Sequence, residues 1–233
     1  MAEVPKRSPD DEVHDVAKAL IECVPGIGPI ASHLFSMVVA PPLEKRRAKW
    51  MNSVAERLKR LEGTIQDFDL KSLKDNEIFI TMLMQATQLA IRNHQDEKLE
   101  MLRNAVINTA LGINIEESEQ IALLRLIEEL TPLHMHLLKC LDNAQAYAAA
   151  RGTKFQNWSS GATSHVIEAA IPEFRRRREV YDRLGRDLET RGLIGNSNFH
   201  VTMTVHGMFQ SRTTAYGKEF LKLIENPLEQ LST

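Results

Sequence analysis

Residues 172–194 read PEFRRRREVYDRLGRDLETRGLI. Pro172 suits the first position of a helix, because its fixed φ fits there and its missing N–H would be unpaired anyway. Val180, Leu184 and Leu188 recur at helical spacing and mark the inward face. Gly192 reads as the stop, since glycine tolerates the left-handed conformation that ends many helices. Leu193-Ile194 follows, then the turn residues GNSN. From Phe199 to Val205 the chain alternates as a strand does, His206-Gly207 reads as a turn, and Met208–Arg212 reads as an antiparallel return. Thr214–Ile224 closes as a helix. Upstream, Thr131-Pro132 opens a helix whose apolar side is Leu133, Leu137, Leu138 and Leu141. After the polar stretch RGTKFQNWSSG, Thr163 is the expected cap of a short helix ending near Ala170. The order is helix, helix, longer helix, hairpin, helix.

This is the order of a winged helix-turn-helix domain, and two strings sharpen it. LETRGLI, residues 188–194, resembles the end of a recognition helix in winged-helix proteins. TTAYGKEFLKLI, residues 213–224, resembles the Thr-x-x-Gly-x-x-Phe-Leu start of the helix after the wing. With the early VPGIGPIA turn, EKLEMLRNAVINTAL and LLRLIEELTPLHMHLLKCL, the whole pattern resembles the bacterial abortive-infection alpha family and its uncharacterised relatives, over roughly residues 13–225. The resemblance implies a role in stopping phage growth. It carries no catalytic signature.

The first half of the chain reads as helical throughout. Val13, Val16, Ala17, Leu20 and Val24 form one stripe behind a Ser8 cap. Leu43, Trp50, Val54, Leu58 and Leu61 form another, with Gly63 as its stop. Lys74 to Leu111 contains neither Gly nor Pro and reads as one long helix or two consecutive ones, ended by Gly112. Ile121–Leu130 is a further short helix. The expected architecture is mainly α, with a helical domain over 1–130 and a winged-helix-like domain carrying a small β-hairpin over 131–233.

Within the first domain, Cys23 to Leu43 holds no Asp, Glu, Lys or Arg. Pro25, Gly26, Gly28 and Pro29 interrupt it at one end and Pro41-Pro42 at the other. The uninterrupted part, Ile30–Ala40, would be about 16 Å long as a helix, against about 30 Å for a hydrocarbon core. The spacing predicts a helical hairpin of the core over 24–43. The competing reading is a membrane-active segment, or a partner contact, in which Ile27, Ile30, Leu34 and Phe35 enter the interface and Lys45, Arg46 and Arg47 meet anionic headgroups.

The 233 residues carry a formal charge of −2, and the balance is uneven. Residues 1–130 sum to −5 and residues 131–233 to +3, a mild basicity that fits a nucleic-acid or acidic partner. Cys23 and Cys140 stand in apolar, helix-like contexts without a CxxC, which predicts buried thiols in a reducing compartment. The polar, acidic N-terminus lacks a secretory apolar region, so a cytoplasmic location is expected.

The most conspicuous chemistry is the run Arg175–Arg178, expected at the start of the recognition helix, where such proteins touch base edges. Arg183, Arg186, Arg191 and, from the hairpin, Arg212 could add phosphate contacts. Glu173, Glu179, Asp182, Asp187 and Glu189 in the same stretch oppose phosphate and favour a protein partner. His134 and His136 point about 200° apart on one helix and cannot share a metal. His94 beside Asp96, Glu97 and Glu100 reads as a polar face. His200 and His206 read as hairpin residues. No phosphate loop, H-E-x-x-H or nucleophile elbow occurs. The expectation is a non-enzymatic interaction or regulatory protein that binds a protein partner or nucleic acid. It calls for no cofactor and no metal, and its long amphipathic helices suit a homodimer.

Overall fold

The computed structural model describes residues 40–66 and 68–230. Of the apolar hairpin predicted over 24–43, residues 24–39, with Ile27, Ile30, Leu34 and Phe35, lie outside them, as does Cys23, whereas its last residues, Ala40 to Leu43, form the first turn of α1 rather than the end of a hairpin. The described chain is mainly α-helical: α1 (Ala40–Thr64), α2 (Glu77–Arg92), α3 (Asp96–Ala110), α4 (Glu117–Glu129), α5 (Pro132–Asp142), α6 (Ala144–Ala150), α7 (Thr163–Ala170), α8 (Arg178–Thr190), α9 (Val205–Phe209), α10 (Ala215–Ile224) and α11 (Pro227–Gln230). One antiparallel pair of short strands accompanies them, β1 (Ser160–Gly161) and β2 (Met203–Thr204), in the register Ser160 to Thr204 and Gly161 to Met203. No described helix is long and apolar enough to cross a membrane.

Helix α3 is the centre of the core. From Asn104 to Thr109 every residue is buried, polar ones included. It packs against α1, α2, α4 and α10. The Lys74–Leu111 stretch resolves into two helices because Asn93-His94-Gln95 breaks it. The Asn93 side chain donates to the Leu89 carbonyl at 3.0 Å and closes the end of α2. Asn76 begins α2 by accepting from the Phe79 N–H at 3.0 Å. Trp50, Val54, Leu58 and Leu61 are buried, and the Trp50 indole donates to Thr87 at 3.0 Å, pinning α1 to α2. Leu130, where the expected domain boundary falls, is itself buried, and one apolar cluster runs from Trp50 to Ile224 across it.

Polar groups on α3 reach α10. The Asn104 amide donates to the Ile224 carbonyl at 3.0 Å. The Asn108 amide lies 2.7, 2.9 and 3.2 Å from the carbonyls of Leu223, Glu225 and Lys222. These belong to the last turn of α10, whose carbonyls have no partner within their own helix.

The two strings singled out at the C-terminus meet each other. Gly192, at φ +72°, ends α8 with its N–H on the Glu189 carbonyl (2.8 Å) and the Leu193 N–H on that of Leu188 (2.9 Å), a Schellman close. Thr214 caps α10: its hydroxyl accepts from the Gly217 N–H at 3.0 Å and donates to the Gly192 carbonyl at 2.5 Å. A Cβ on Gly217 would stand 2.1 Å from the Leu193 carbonyl oxygen. The glycine in TTAYGKEFL is therefore the contact point for the end of LETRGLI.

Three expectations are corrected. Phe199–Val205 does not form a hairpin with 208–212. Only Met203-Thr204 pairs, and with β1, whereas Thr204 caps α9 by accepting from the Gly207 N–H. Of the return stretch, Met208 and Phe209 belong to α9, with Met208 buried, and 210–212 take no regular structure. The chain comes back instead at Leu193–Gly195 beside Arg212–Thr214, through Gly195 to Arg212 (2.8 Å) and Thr214 to Leu193 (3.1 Å). Second, Pro172 starts a single 3-10 turn, Pro172–Phe174, and α8 begins only at Arg178. Third, the cap of α7 falls on Ala162, and Thr163 is its first residue.

Gly217→Ala should lower stability by about 1–3 kcal/mol, the ordinary cost of forcing atoms into a packed site, read as a lower urea midpoint. Asn108→Ala should cost about 1–3 kcal/mol by stranding buried carbonyls. Asn108→Asp, of the same shape but presenting oxygens to oxygens, should cost more than the alanine variant at neutral pH.

Candidate nucleic-acid interface

The arginine run sits in a turn, and the turn is anchored from below. Phe174 is fully buried under it and packs edge-on against Tyr181 of α8, with ring centres 5.9 Å apart. The Tyr181 hydroxyl donates to the Glu168 carboxylate at 3.0 Å, tying α8 to α7. Burial, with that hydrogen bond, pushes the Tyr181 phenol above its usual range. On the same inward face, a Cβ on Gly185 would fall 2.5 Å from the Phe199 ring, so glycine lets the loop after α8 pack against the helix.

Above this base, Arg175, Arg176, Arg177 and Arg178 are all exposed. Arg176 takes φ +58°, the left-handed region, which sets it apart from every other described non-glycine residue. Arg175 and Arg177 donate to the backbone carbonyls of Glu168 (3.4 Å) and Glu173 (3.3 Å). Arg178 pairs with Asp182 at 3.3 Å, and Asp182 also accepts from His200 at 2.8 Å. Arg183 and Arg186 lie exposed farther along α8. Among the described residues no carboxylate is within ion-pair reach of Arg175, Arg176, Arg177, Arg183 or Arg186.

Arg212 stands apart from this set. Its guanidinium donates to Asn196 (2.6 Å) and Thr163 (2.9 Å) and lies 5.9 Å from the Phe199 ring centre. Half-buried, it braces the loop between α8 and α10 against α7, and burial lowers its pKa. Lys45, Arg46 and Arg47 are exposed on the first turns of α1. Helix α1 packs chiefly on α2 and α3, and α8 chiefly on α5, so the structure does not bring these two basic groups together.

The histidines are structural where they are buried. His134 closes a capping box with Thr131, whose N–H donates to Nδ1 at 3.1 Å, so the ring proton sits on Nε2 facing Asp187 at 3.4 Å. His136 lies 3.7 Å from Glu97, with the Tyr147 hydroxyl 3.2 Å and Arg151 3.3 Å from Nδ1. Burial pushes both imidazoles below their usual value, against the opposing pull of Asp187 and Glu97. Burial also raises the Tyr147 phenol and the Cys140 thiol, each to about 12. Among the described residues no group of three His, Cys, Asp or Glu is arranged to hold a metal.

One feature was not legible in the sequence. Phe155 and Trp158, in a stretch that reads as polar, assemble with Phe209 into a half-buried aromatic cluster, with centres 5.0 to 6.1 Å apart. Their spacing of three was the only local signal, because Phe209 comes from α9. The chain matches no family model, no curated protein and no solved structure.

The buried imidazoles set a pH dependence. Their folded pKa values lie below the unfolded one, so the unfolded chain takes up protons that the folded chain refuses. Stability should therefore be full above about pH 6.5 and fall as pH drops through it. Urea midpoints across that range should show the loss, and His136→Gln should flatten it.

Proposed function

We propose that this chain is a non-enzymatic interaction protein that binds nucleic-acid phosphates through a winged-helix-like C-terminal part, with α8 and its arginine turn as the contact. The observation that carries the reading is the set of five exposed guanidiniums, Arg175, Arg176, Arg177, Arg183 and Arg186, with no carboxylate partner among the described residues. A guanidinium left unneutralised on a rigid turn is suited to bidentate phosphate contact. The left-handed Arg176 supports the same reading. A non-glycine residue there costs about 1–2 kcal/mol, a strain that glycine in its place would remove. The order α5, α7, α8, returning loop and α10 supports the winged-helix comparison, and the resemblance to the abortive-infection alpha family gives the binding a setting in cytoplasmic phage defence.

A second reading has its own observation. Glu179 and Glu189 are exposed on α8 beside Arg183 and Arg186. Such alternation matches a protein surface of mixed charge better than a uniform row of phosphates.

A gel shift with random-sequence duplex DNA over a salt series separates the two. Five phosphate contacts predict a slope of log K against log salt of about −4 to −5. Replacing Arg175–Arg178 by Ala should remove most of the binding. Arg176→Gly should weaken binding while raising the urea midpoint. No binding at low salt would exclude the nucleic-acid reading and leave the protein-docking one.

A further inference from the structure

An apolar groove of about 400 Å³ runs between α1 and α2. Its floor is Leu43 and Met51 from α1 and Leu83, Met84 and Ile91 from α2. Met84 is 61% exposed and Met51 40%, both large apolar side chains open to water. Nothing in the phosphate-binding reading uses this surface.

We infer that this groove is the docking site of residues 27–39 of the same chain. Three observations select that occupant. The first is position: α1 begins at Ala40, so the preceding chain enters within one turn of Leu43, the first groove residue. The second is chemistry: residues 27–39 hold no Asp, Glu, Lys or Arg, and Ile30, Leu34 and Val38 recur at the spacing of one helical stripe. The third is length. Leu43 to Met51 spans about 12 Å of α1, which two turns of helix from the segment would cover. A tether this short gives an effective concentration on the order of millimolar or above, which favours the chain's own segment over a second copy. Docking there would keep the uncharged segment from membranes and from other chains, and would leave the arginine turn on α8 unaffected.

Cysteine accessibility in the full chain tests this. Cys23→Ser removes the thiol near the segment, and the buried Cys140, whose thiol is pushed up to about 12, reports any unfolding by reacting. In that background Met84→Cys should be alkylated about tenfold more slowly than Lys59→Cys, placed at an exposed position of α1. Adding Leu34→Asp and Phe35→Asp should restore the fast rate, with Cys140 still silent. Equal rates for Met84→Cys and Lys59→Cys would overturn the proposal, and this comparison does not depend on the aspartate variant folding. Protection that persists with the aspartates in place would also overturn it. Protection lost on dilution would give the groove to a second copy instead.

Discussion

The carbonyls at the end of α10 must find hydrogen-bond donors inside the protein, and α3 supplies them. Glu100, Asn104 and Asn108 lie one turn apart along α3. Asn104 and Asn108 reach the last turn of α10, while Arg57 of α1 donates to Glu100 at 2.5 Å and to the Asn104 side-chain oxygen at 3.1 Å. Arg103 closes the other side of Glu100. The stripe is buried or half-buried, so any sliding of α3 against α10 would strand several polar groups at once. The consequence extends along the chain. Helix α10 is fixed by α3, its Gly217 receives the Leu193 carbonyl, and Leu193 ends α8. The helix that presents the arginines is thereby positioned by the central helix of the first half.

What could be read in advance followed the range of the interactions. The stripe Trp50, Val54, Leu58, Leu61 and the stops at Gly112 and Gly192 are local, and local spacing shows them. The link between LETRGLI and TTAYGKEFL was legible as two strings, but their contact was not, since it rests on a carbonyl meeting a missing Cβ. The hairpin was misread for the same reason. The alternation of Phe199–Val205 is present, yet the partner of Met203 is Gly161, and Thr204 prefers to cap a helix. Among the candidate site residues, the exposure of Arg175–Arg178, Arg183 and Arg186 could be inferred from composition. The bracing role of Arg212 could not, because Thr163, Asn196 and Phe199 come from elsewhere in the chain.

Several of the titratable groups that burial perturbs have structural partners. His134 caps α5 and faces α8, His136 joins α3 to α6 through Glu97 and Tyr147, and Tyr181 joins α7 to α8. In each case burial favours the neutral form, and the hydrogen bonds cross between elements. The two imidazoles hold helices together at neutral pH and weaken that hold on acidification, whereas the Tyr181 phenol keeps its proton there. Each of these groups is occupied in packing between helices.

Charge on α8 is best judged by what neutralises it rather than by counting residues. Seven arginines and five acids between 173 and 191 nearly cancel as a sum. Asp182 serves Arg178 and His200, Asp187 faces His134, and Glu189 accepts from Ser197 at 3.1 Å. Arg191 is held by Glu129. Of the acids, Glu173 answers Arg151 at 3.6 Å. Once these pairs are set aside, the acids are largely engaged within the fold, while Arg175, Arg176 and Arg177 of the turn have no carboxylate partner among the described residues. The left-handed backbone at Arg176 interrupts what would have been a helical start, so the guanidiniums of the run emerge from a turn anchored by Phe174. A net charge near zero can therefore coexist with a local positive field at the turn. That field is short-ranged at ordinary ionic strength, with a Debye length of about 8 Å, so it acts at contact and its strength depends on the rigidity that α3 and α10 provide.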